Sequence, residues 1–354
     1  MYLSGIGSAV PARRYTQVEC WQALQQAPQF RQLTARSKAT LQQVLSNPES
    51  GIESRHLALE RLADAFDIEP DVLSARYARH APALGAQAAE AALADARVSP
   101  HEVDAVVVST CTGYLCPGLT TYLNERLGLR TDVIGLDLVG QGCGAALPNL
   151  RAAEALIAAG RCSTVLSVCV EVCSAAFYID DDLGVLISAC IFGDGAAAAV
   201  LSGKAPPQKR RVRWIAAWSA TDPAQRDALR FETRAGMLRN VLTPEVPALA
   251  GERAAALLAA ALHERGLTRD DIRSWIWHAG GKRVLERVRA AAGLDAAAVE
   301  RSARILRDYG NISSPFVYFV LEAALRERAA GGWWWLSSFG AGFSCHGALL
   351  DVAA

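Results

Sequence analysis

Two periodicities alternate along the chain. Short runs rich in valine and isoleucine end on glycine, and longer runs rich in alanine and leucine follow at helical spacing. Residues 81–96, APALGAQAAEAALADA, predict a helix, and SPHEVDAVVVSTCTG after it predicts a buried strand that closes near a glycine. TDVIGLDL predicts a strand, GQGCG a tight turn, and the alanine-rich stretch beyond it a helix. STVLSVCVEV reads as another strand, and ISACIFGDGAAAAVLSG as one with a glycine-rich interruption. The first eighty residues are amphipathic at helical spacing, with Gln- and Arg-rich polar faces and no chemical motif, and are expected to form a cap.

The stretch GKAPPQKRR, residues 203–211, predicts a linker, so the chain is divided into residues 1–205 and 206–354. The second part repeats the order of the first. A helix is expected near 250–265, and DDIRSWIWHAGG parallels EVDAVVVSTCTG. Helices are expected to start at Cys143 and near Asn311, an offset of 311 − 143 = 168, and GWWWLSSFGAGFSCHGALLDV parallels ISACIFGDGAAAAVLSG. The expectation is an α/β fold of two duplicated halves packed in layers, with the site where they meet.

Composition narrows the function classes. The chain has 354 residues, enough for a large core without disulfide staples, and its nine cysteines sit mostly in apolar runs that suit reduced thiols. The closest pair of note, Cys169 and Cys173, has no histidine neighbours, so no metal site is expected. Lysine and arginine number 36 against 36 acidic residues, which argues against nucleic acid as a partner. No apolar window approaches the length of a membrane span and the opening lacks a secretory pattern, so a cytoplasmic protein is expected.

Three residues stand out chemically. Cys143 lies in GQGCGAALPNL, where a helix start and a nearby imidazolium would lower a thiol from about 8.5 towards 3.5–7.5; the plain alternative is a small apolar residue at a tight contact. His278 ends the strand IRSWIWHAGG, at the carboxyl tip where α/β proteins place functional groups, although single histidines are often structural. Asn311, in RDYGNISSPFVYF, precedes an apolar run; it or Ser313 would equally serve as a helix cap.

Six segments in order, STCTGYLCPGL, GQGCGAALPNL, FGDGAAAAVL, WIWHAGG, YGNISS and SFGAGFSCHG, resemble the type III polyketide synthases, the chalcone synthase superfamily, over nearly the whole chain. The resemblance implies a thiolase-like αβαβα core and a cytoplasmic homodimer that uses acyl-CoA and malonyl-CoA as substrates and needs no cofactor. It implies that Cys143 carries the acyl group, that His278 pairs with its thiolate, and that His278 and Asn311 stabilise the malonyl enolate. It assigns Phe192 as a gate between the CoA tunnel and the cavity, and it places Cys111, Cys116, Cys173, Ala176, Ser313, Gly340 and Ala341 against substrate. Cys111, Cys173 and Ala176 replace the threonines of plant chalcone synthases, Cys116 replaces a methionine that reaches across the dimer, and Ala341 replaces a proline of the final loop. Arg55 and Arg283 are the candidates for the CoA phosphates.

The smaller, more apolar wall points to a long-chain fatty acyl starter and to an alkylresorcinol or alkylpyrone product. A malonyl-primed tetrahydroxynaphthalene synthase is the rival outcome, since such enzymes also place a cysteine where Cys111 stands. Initiating β-ketoacyl synthases share the trio, but they commonly read HQAN where this chain reads HAGG. A papain-like protease shares the order and spacing, with 278 − 143 = 135, but its cysteine context is absent.

Overall fold

The computed structural model describes residues 1–207 and 209–354; Gln208, inside the expected linker, lies outside the described residues. In chain order the elements are β1 (Tyr2–Ala9), β2 (Arg14–Thr16), α1 (Gln17–Gln26), α2 (Pro28–Gln32), α3 (Ala35–Ser46), β3 (Ser54–His56), α4 (Pro70–Ala96), β4 (Ala105–Ser109), α5 (Leu119–Leu127), β5 (Ile134–Leu138), α6 (Ala146–Ala158), β6 (Thr164–Glu171), α7 (Leu183–Ile191) and β7 (Gly195–Ser202). There follow β8 (Val212–Thr221), β9 (Leu229–Arg234), β10 (Met237–Leu242), α8 (Val246–Arg265), β11 (Ile272–Trp277), α9 (Lys282–Ala291), α10 (Ala297–Tyr309), α11 (Phe316–Arg326), β12 (Gly332–Gly340) and β13 (Ser344–Val352).

Nine strands form one sheet in the order β11-β12-β13-β8-β1-β7-β6-β4-β5. The join between β1 and β8 is only two residue pairs long, Tyr2 with Arg213 and Leu3 with Val212, so the sheet is two half-sheets touching at an edge. Both halves run in the same order and sense: β4-β6-β7-β1 matches β11-β12-β13-β8, with the first pair parallel and the later pairs antiparallel. Helices α6 and α11 pack between the half-sheets, α4 covers the outside of the first and α8 the outside of the second. The result is the layered αβαβα arrangement.

Strand alternation fixes this layering. Val106 and Val108 of β4 and Leu166, Val168 and Val170 of β6 join the outer core under α4, while Val107, Val165 and Cys169 face the central helices. Each fully buried valine or leucine is worth about 1.5–3 kcal/mol, and a one-residue slip would exchange the two faces, so register is strongly specified.

Four expectations are corrected. The first eighty residues are not wholly a helical cap: β1 lies in the middle of the sheet, while α1 to α3 and residues near β3 form the cap with its own apolar cluster. Its pattern hides the strand because Gly5 and Gly7 lack side chains; a Cβ on Gly7 would come within 2.5 Å of the Ala92 nitrogen of α4. The helix expected at 81–96 begins at Pro70, a favoured first position, and continues through Pro82 because Leu73 and Tyr77 are buried along it. The apolar segment ahead of FGDG is the helix α7, capped by Asp182, whose side chain accepts from Gly184 and Val185 N–H; short apolar runs do not by themselves distinguish helix from strand. The parallel with GWWWLSSFGAGF therefore holds only for β7 and β13, since β12 corresponds to β6.

Candidate active site

The Cys143 turn forms where the two halves press together. Cys143 sits in a 3-10 turn, Gly142–Gly144, just ahead of α6, and Gly142 adopts φ +55, a conformation that favours glycine. Gly340 ends β12 against this turn: a Cβ there would collide with the Gln141 carbonyl and come within 2.5 Å of the Gly144 nitrogen. A Cβ on Gly142 would come within 3.0 Å of the Ala341 nitrogen, so the final loop, with Gly340 and Ala341, braces the nucleophile backbone. Ser338 Oγ adds a hydrogen bond to the Gly144 carbonyl at 2.9 Å.

His278 immediately follows β11 and donates its backbone N–H to the Ser337 carbonyl at 2.9 Å. Its ring is 1% exposed and meets Phe316 and Phe339 edge-on at 5.3 and 5.0 Å between centroids. Nδ1 has no hydrogen-bond partner among the described residues, and burial pushes the imidazole down to about 3. Asn311 is fixed by its backbone, which donates to the Ile191 carbonyl at 2.8 Å and accepts from Gly193 N–H at 3.0 Å, bridging it to Phe192. Its side chain donates to the Gly280 carbonyl at 3.2 Å and accepts from Ser313 N–H at 2.9 Å. The capping alternative does not apply: α11 starts at Phe316 behind Pro315 and has no side-chain cap.

Ser313, held at φ +56, donates to Cys143 Sγ at 3.2 Å and lies 3.6 Å from Cys111 Sγ. Behind both stands Glu171, a carboxylate with no exposure that sequence reasoning missed. It accepts from Ser314 Oγ at 2.6 Å, Thr112 Oγ1 at 2.9 Å, Cys111 N–H at 3.0 Å and Cys111 Sγ at 3.3 Å. Its trace in the sequence is a single charge at the end of the apolar run STVLSVCVEV. Desolvation raises the carboxyl above its usual range against these hydrogen bonds.

The electrostatics differ from the expectation of an acidic thiol. Burial pushes Cys143 up to about 12; the Ser313 hydrogen bond opposes the rise, and the Glu171 charge adds to it. With His278 pushed down as well, the free site favours a neutral thiol and a neutral imidazole, because desolvation outweighs the hydrogen bonds that would hold the thiolate.

Two cavities lie at the site, one bordering Ser313 and the other Gly142 of the turn. Cys173, Ala176, Phe192 and Ser313 line a narrow one of about 20 Å³, walled also by Tyr178, Phe231 and Asn240. A second, of about 750 Å³, runs from Cys111, Gly142 and Ala341 past Leu73, Tyr77 and Ala175 to Met237 and Leu238. Cys116, expected against substrate, is exposed, lines neither of these cavities, and precedes a cis peptide to Pro117. Arg55 is corrected as a phosphate contact: it is 3% exposed and its guanidinium is committed to Gln17 Oε1 and to the Ala189 and Phe192 carbonyls, so it supports the Phe192 backbone instead. Arg283 is exposed in the first turn of α9, just after Gly280 and Gly281.

Residues 11–221 match the family model of FAE1/type III polyketide synthase-like proteins, and residues 223–352 match the C-terminal domain of chalcone and stilbene synthases. The chain is 31% identical over 354 residues to a 3,5-dihydroxyphenylacetyl-CoA synthase of Amycolatopsis balhimycina, covering 98% of this chain and 92% of the relative. It is 32% identical over 308 residues to a 1,3,6,8-tetrahydroxynaphthalene synthase of Streptomyces peucetius subsp. caesius, covering 85% and 81%. The crystal structure of PKS-I from the brown alga Ectocarpus siliculosus superposes with a TM-score of 0.91 at 26% identity, over 99% of this chain and 98% of that one.

Proposed function

Since this chain belongs to the type III polyketide synthases, we propose that it loads an acyl group from CoA onto Cys143 and extends it with malonyl-CoA. The observation that carries the reading is that Ser313 links Cys143 Sγ, at 3.2 Å, to Asn311 Oδ1, at 2.9 Å, while the Asn311 amide reaches the Gly280 carbonyl two residues beyond His278. Neutral His278 takes the Cys143 proton as sulfur attacks the acyl thioester; the new carbon–sulfur bond forms, the bond to CoA breaks, and the CoA thiolate receives the proton. Malonyl-CoA then loses carbon dioxide, and the electron pair passes to an enolate whose oxygen accepts hydrogen bonds from His278 and Asn311. One amide hydrogen of Asn311 is held by the Gly280 carbonyl, which leaves the second for this oxygen. The enolate carbon attacks the acyl thioester and expels Cys143, giving a chain two carbons longer on CoA.

The starter is a long-chain acyl group, its tail placed in the cavity of about 750 Å³, because the narrow pocket of about 20 Å³ holds little more than a water. Cyclisation then gives an alkylresorcinol or alkylpyrone. The second reading, malonyl priming, is favoured by the products for which the relatives above are named, an eight-carbon phenylacetyl group and a ten-carbon naphthalene. Mass spectrometry of products from malonyl-CoA with starters from acetyl to stearoyl separates the two: product from malonyl-CoA alone, with every starter beyond six carbons ignored, rejects the lipid reading.

Arg283 is the cation assigned to the CoA phosphates. Edge strand β5, paired only with β4, exposes Ile134 and Leu136 beside Val139 and Tyr114, and a second copy covering this face would form the homodimer near Cys116. Sedimentation giving an active monomer at micromolar concentration rejects that assignment.

A further inference from the structure

Next to Ser313, the narrow pocket is walled by the 177–182 segment with Tyr178, by helix α7 with Val185 and Ser188, which continues directly from it, and by the distant β9–β10 hairpin with Phe231 and Asn240. One side chain joins all three. Arg239 of β10, its side chain 9% exposed, gives Nε to Asp180 at 2.9 Å, Nη1 to Glu232 at 2.9 Å and Nη2 to Asp182 at 3.1 Å. Its guanidinium also stands 5.9 Å from the Tyr178 ring centroid. Asp182 is the residue that caps α7, so the same carboxylate ties the hairpin to the start of the helix that ends at Phe192.

Resting on the reading above, we propose that Arg239 is a positioning residue that sets the width of this narrow pocket, and through it the extension of the chain, by clasping the hairpin to the 177–182 segment and α7. All three donor positions of its fork are taken by carboxylates, so it holds the walls and does not contact substrate. Without Arg239, Glu232 keeps Arg230 at 2.6 Å and Asp180 keeps Arg234 at 3.8 Å, but Asp182 loses its cation and the hairpin its buried link to α7, so Phe231 and Asn240 move away from Tyr178. The ion pairs of Arg239 lie at the start of α7, whereas Asn311 is held at its end by Ile191 and Gly193, so the steps that depend on His278 and Asn311 are spared while control of the growing chain is lost. This separation is what a merely structural residue would not give.

The test uses Arg239→Met and Arg239→Lys in the full-length enzyme, with carbon dioxide release from malonyl-CoA, starter KM and product chain length measured together. Expected for Arg239→Met is decarboxylation within about twofold of wild type, a roughly ten- to hundredfold loss in extension efficiency, and a product distribution shifted to short, early-released chains. Arg239→Lys, which keeps the charge but reaches fewer carboxylates, falls between the two; if the methionine variant does not fold, the lysine variant carries the comparison. Unchanged chain length and KM in a folded variant overturn the clasp, as does an equal fall in decarboxylation and extension. A wild-type protein that releases no carbon dioxide from malonyl-CoA instead overturns the underlying reading, and the clasp with it.

Discussion

Substituting Gly340 by alanine tests whether the final loop sets the position of the nucleophile. A Cβ at this position lies 2.5 Å from the Gly144 nitrogen and collides with the Gln141 carbonyl, both backbone atoms of the Cys143 turn. Ordinary contact begins near 3.4 Å, so the turn must retreat by 3.4 − 2.5 = 0.9 Å. Overpacking of this kind costs about 1–3 kcal/mol in stability, which a 354-residue protein tolerates, whereas a displacement near 1 Å at a reacting atom costs about a hundredfold in rate. Gly340→Ala is therefore expected to remain folded while acyl loading slows by about two orders of magnitude. Intact-protein mass spectrometry after rapid mixing with acyl-CoA measures the loading rate, and circular dichroism checks the fold. Gly203→Ala is the control, because its Cβ meets only Ile157 Cγ2 at an ordinary 3.4 Å. Loading by Gly340→Ala within twofold of wild type would refute the bracing argument.

Further predictions follow from the same geometry. His278 is lowered from 6.5 to about 3 by burial, so the folded state binds fewer protons than the unfolded one, and stability is lost as pH falls from 6.5 towards 3. At pH 5 this loss is about 2 kcal/mol, and His278→Gln should remove it, as read from urea midpoints at pH 7 and pH 5; an equal pH dependence in both proteins contradicts the burial argument. Cys111→Phe places a ring at the head of the larger cavity. Excluding two or three methylenes, each worth about 0.8 kcal/mol, should lower kcat/KM for stearoyl-CoA by roughly fifteen- to sixtyfold with short starters spared, and uniform loss across starters would argue against a tail in this cavity. Arg283→Glu should raise the KM for malonyl-CoA about tenfold, less at high salt, and an unchanged constant removes Arg283 from the phosphate site.

Much of the fold was legible because its β-branched runs and alanine-rich helices carry strong periodicity: the strands at 105–109, 164–171 and 272–277 and the helices at 146–158 and 246–265 fall where pattern places them. Strand β1 was not, because two glycines needed for close packing against α4 erase its alternation. Helix α7 was misread because its apolar run carries β-branched residues and its cap, Asp182, is decided by local hydrogen bonds. The hairpin β9–β10 is rich in charge and its alternation is confined to Leu229 and Phe231 of β9; ion pairs with Asp180 and Asp182 hold it in place. At the site, glycine-flanked Cys143, strand-ending His278 and loop-borne Asn311 were visible as singular residues, and the resemblance joined them. Glu171 was invisible because a charge at a strand end ordinarily marks solvent, and only the fold converges Cys111, Thr112 and Ser314 on it. Arg55 misled for the opposite reason: sequence shows a cation but not that backbone carbonyls consume it.

The central claim is that Cys143 carries the growing chain while His278 and Asn311 drive decarboxylation. Peptide mass spectrometry of the enzyme quenched during turnover, comparing wild type with Cys143→Ala, tests it most directly. The account predicts an acyl adduct on the Cys143 peptide of the wild type. In Cys143→Ala it predicts no adduct and no polyketide, with carbon dioxide still released from malonyl-CoA. An adduct on another residue, or normal polyketide yield from Cys143→Ala, would contradict it.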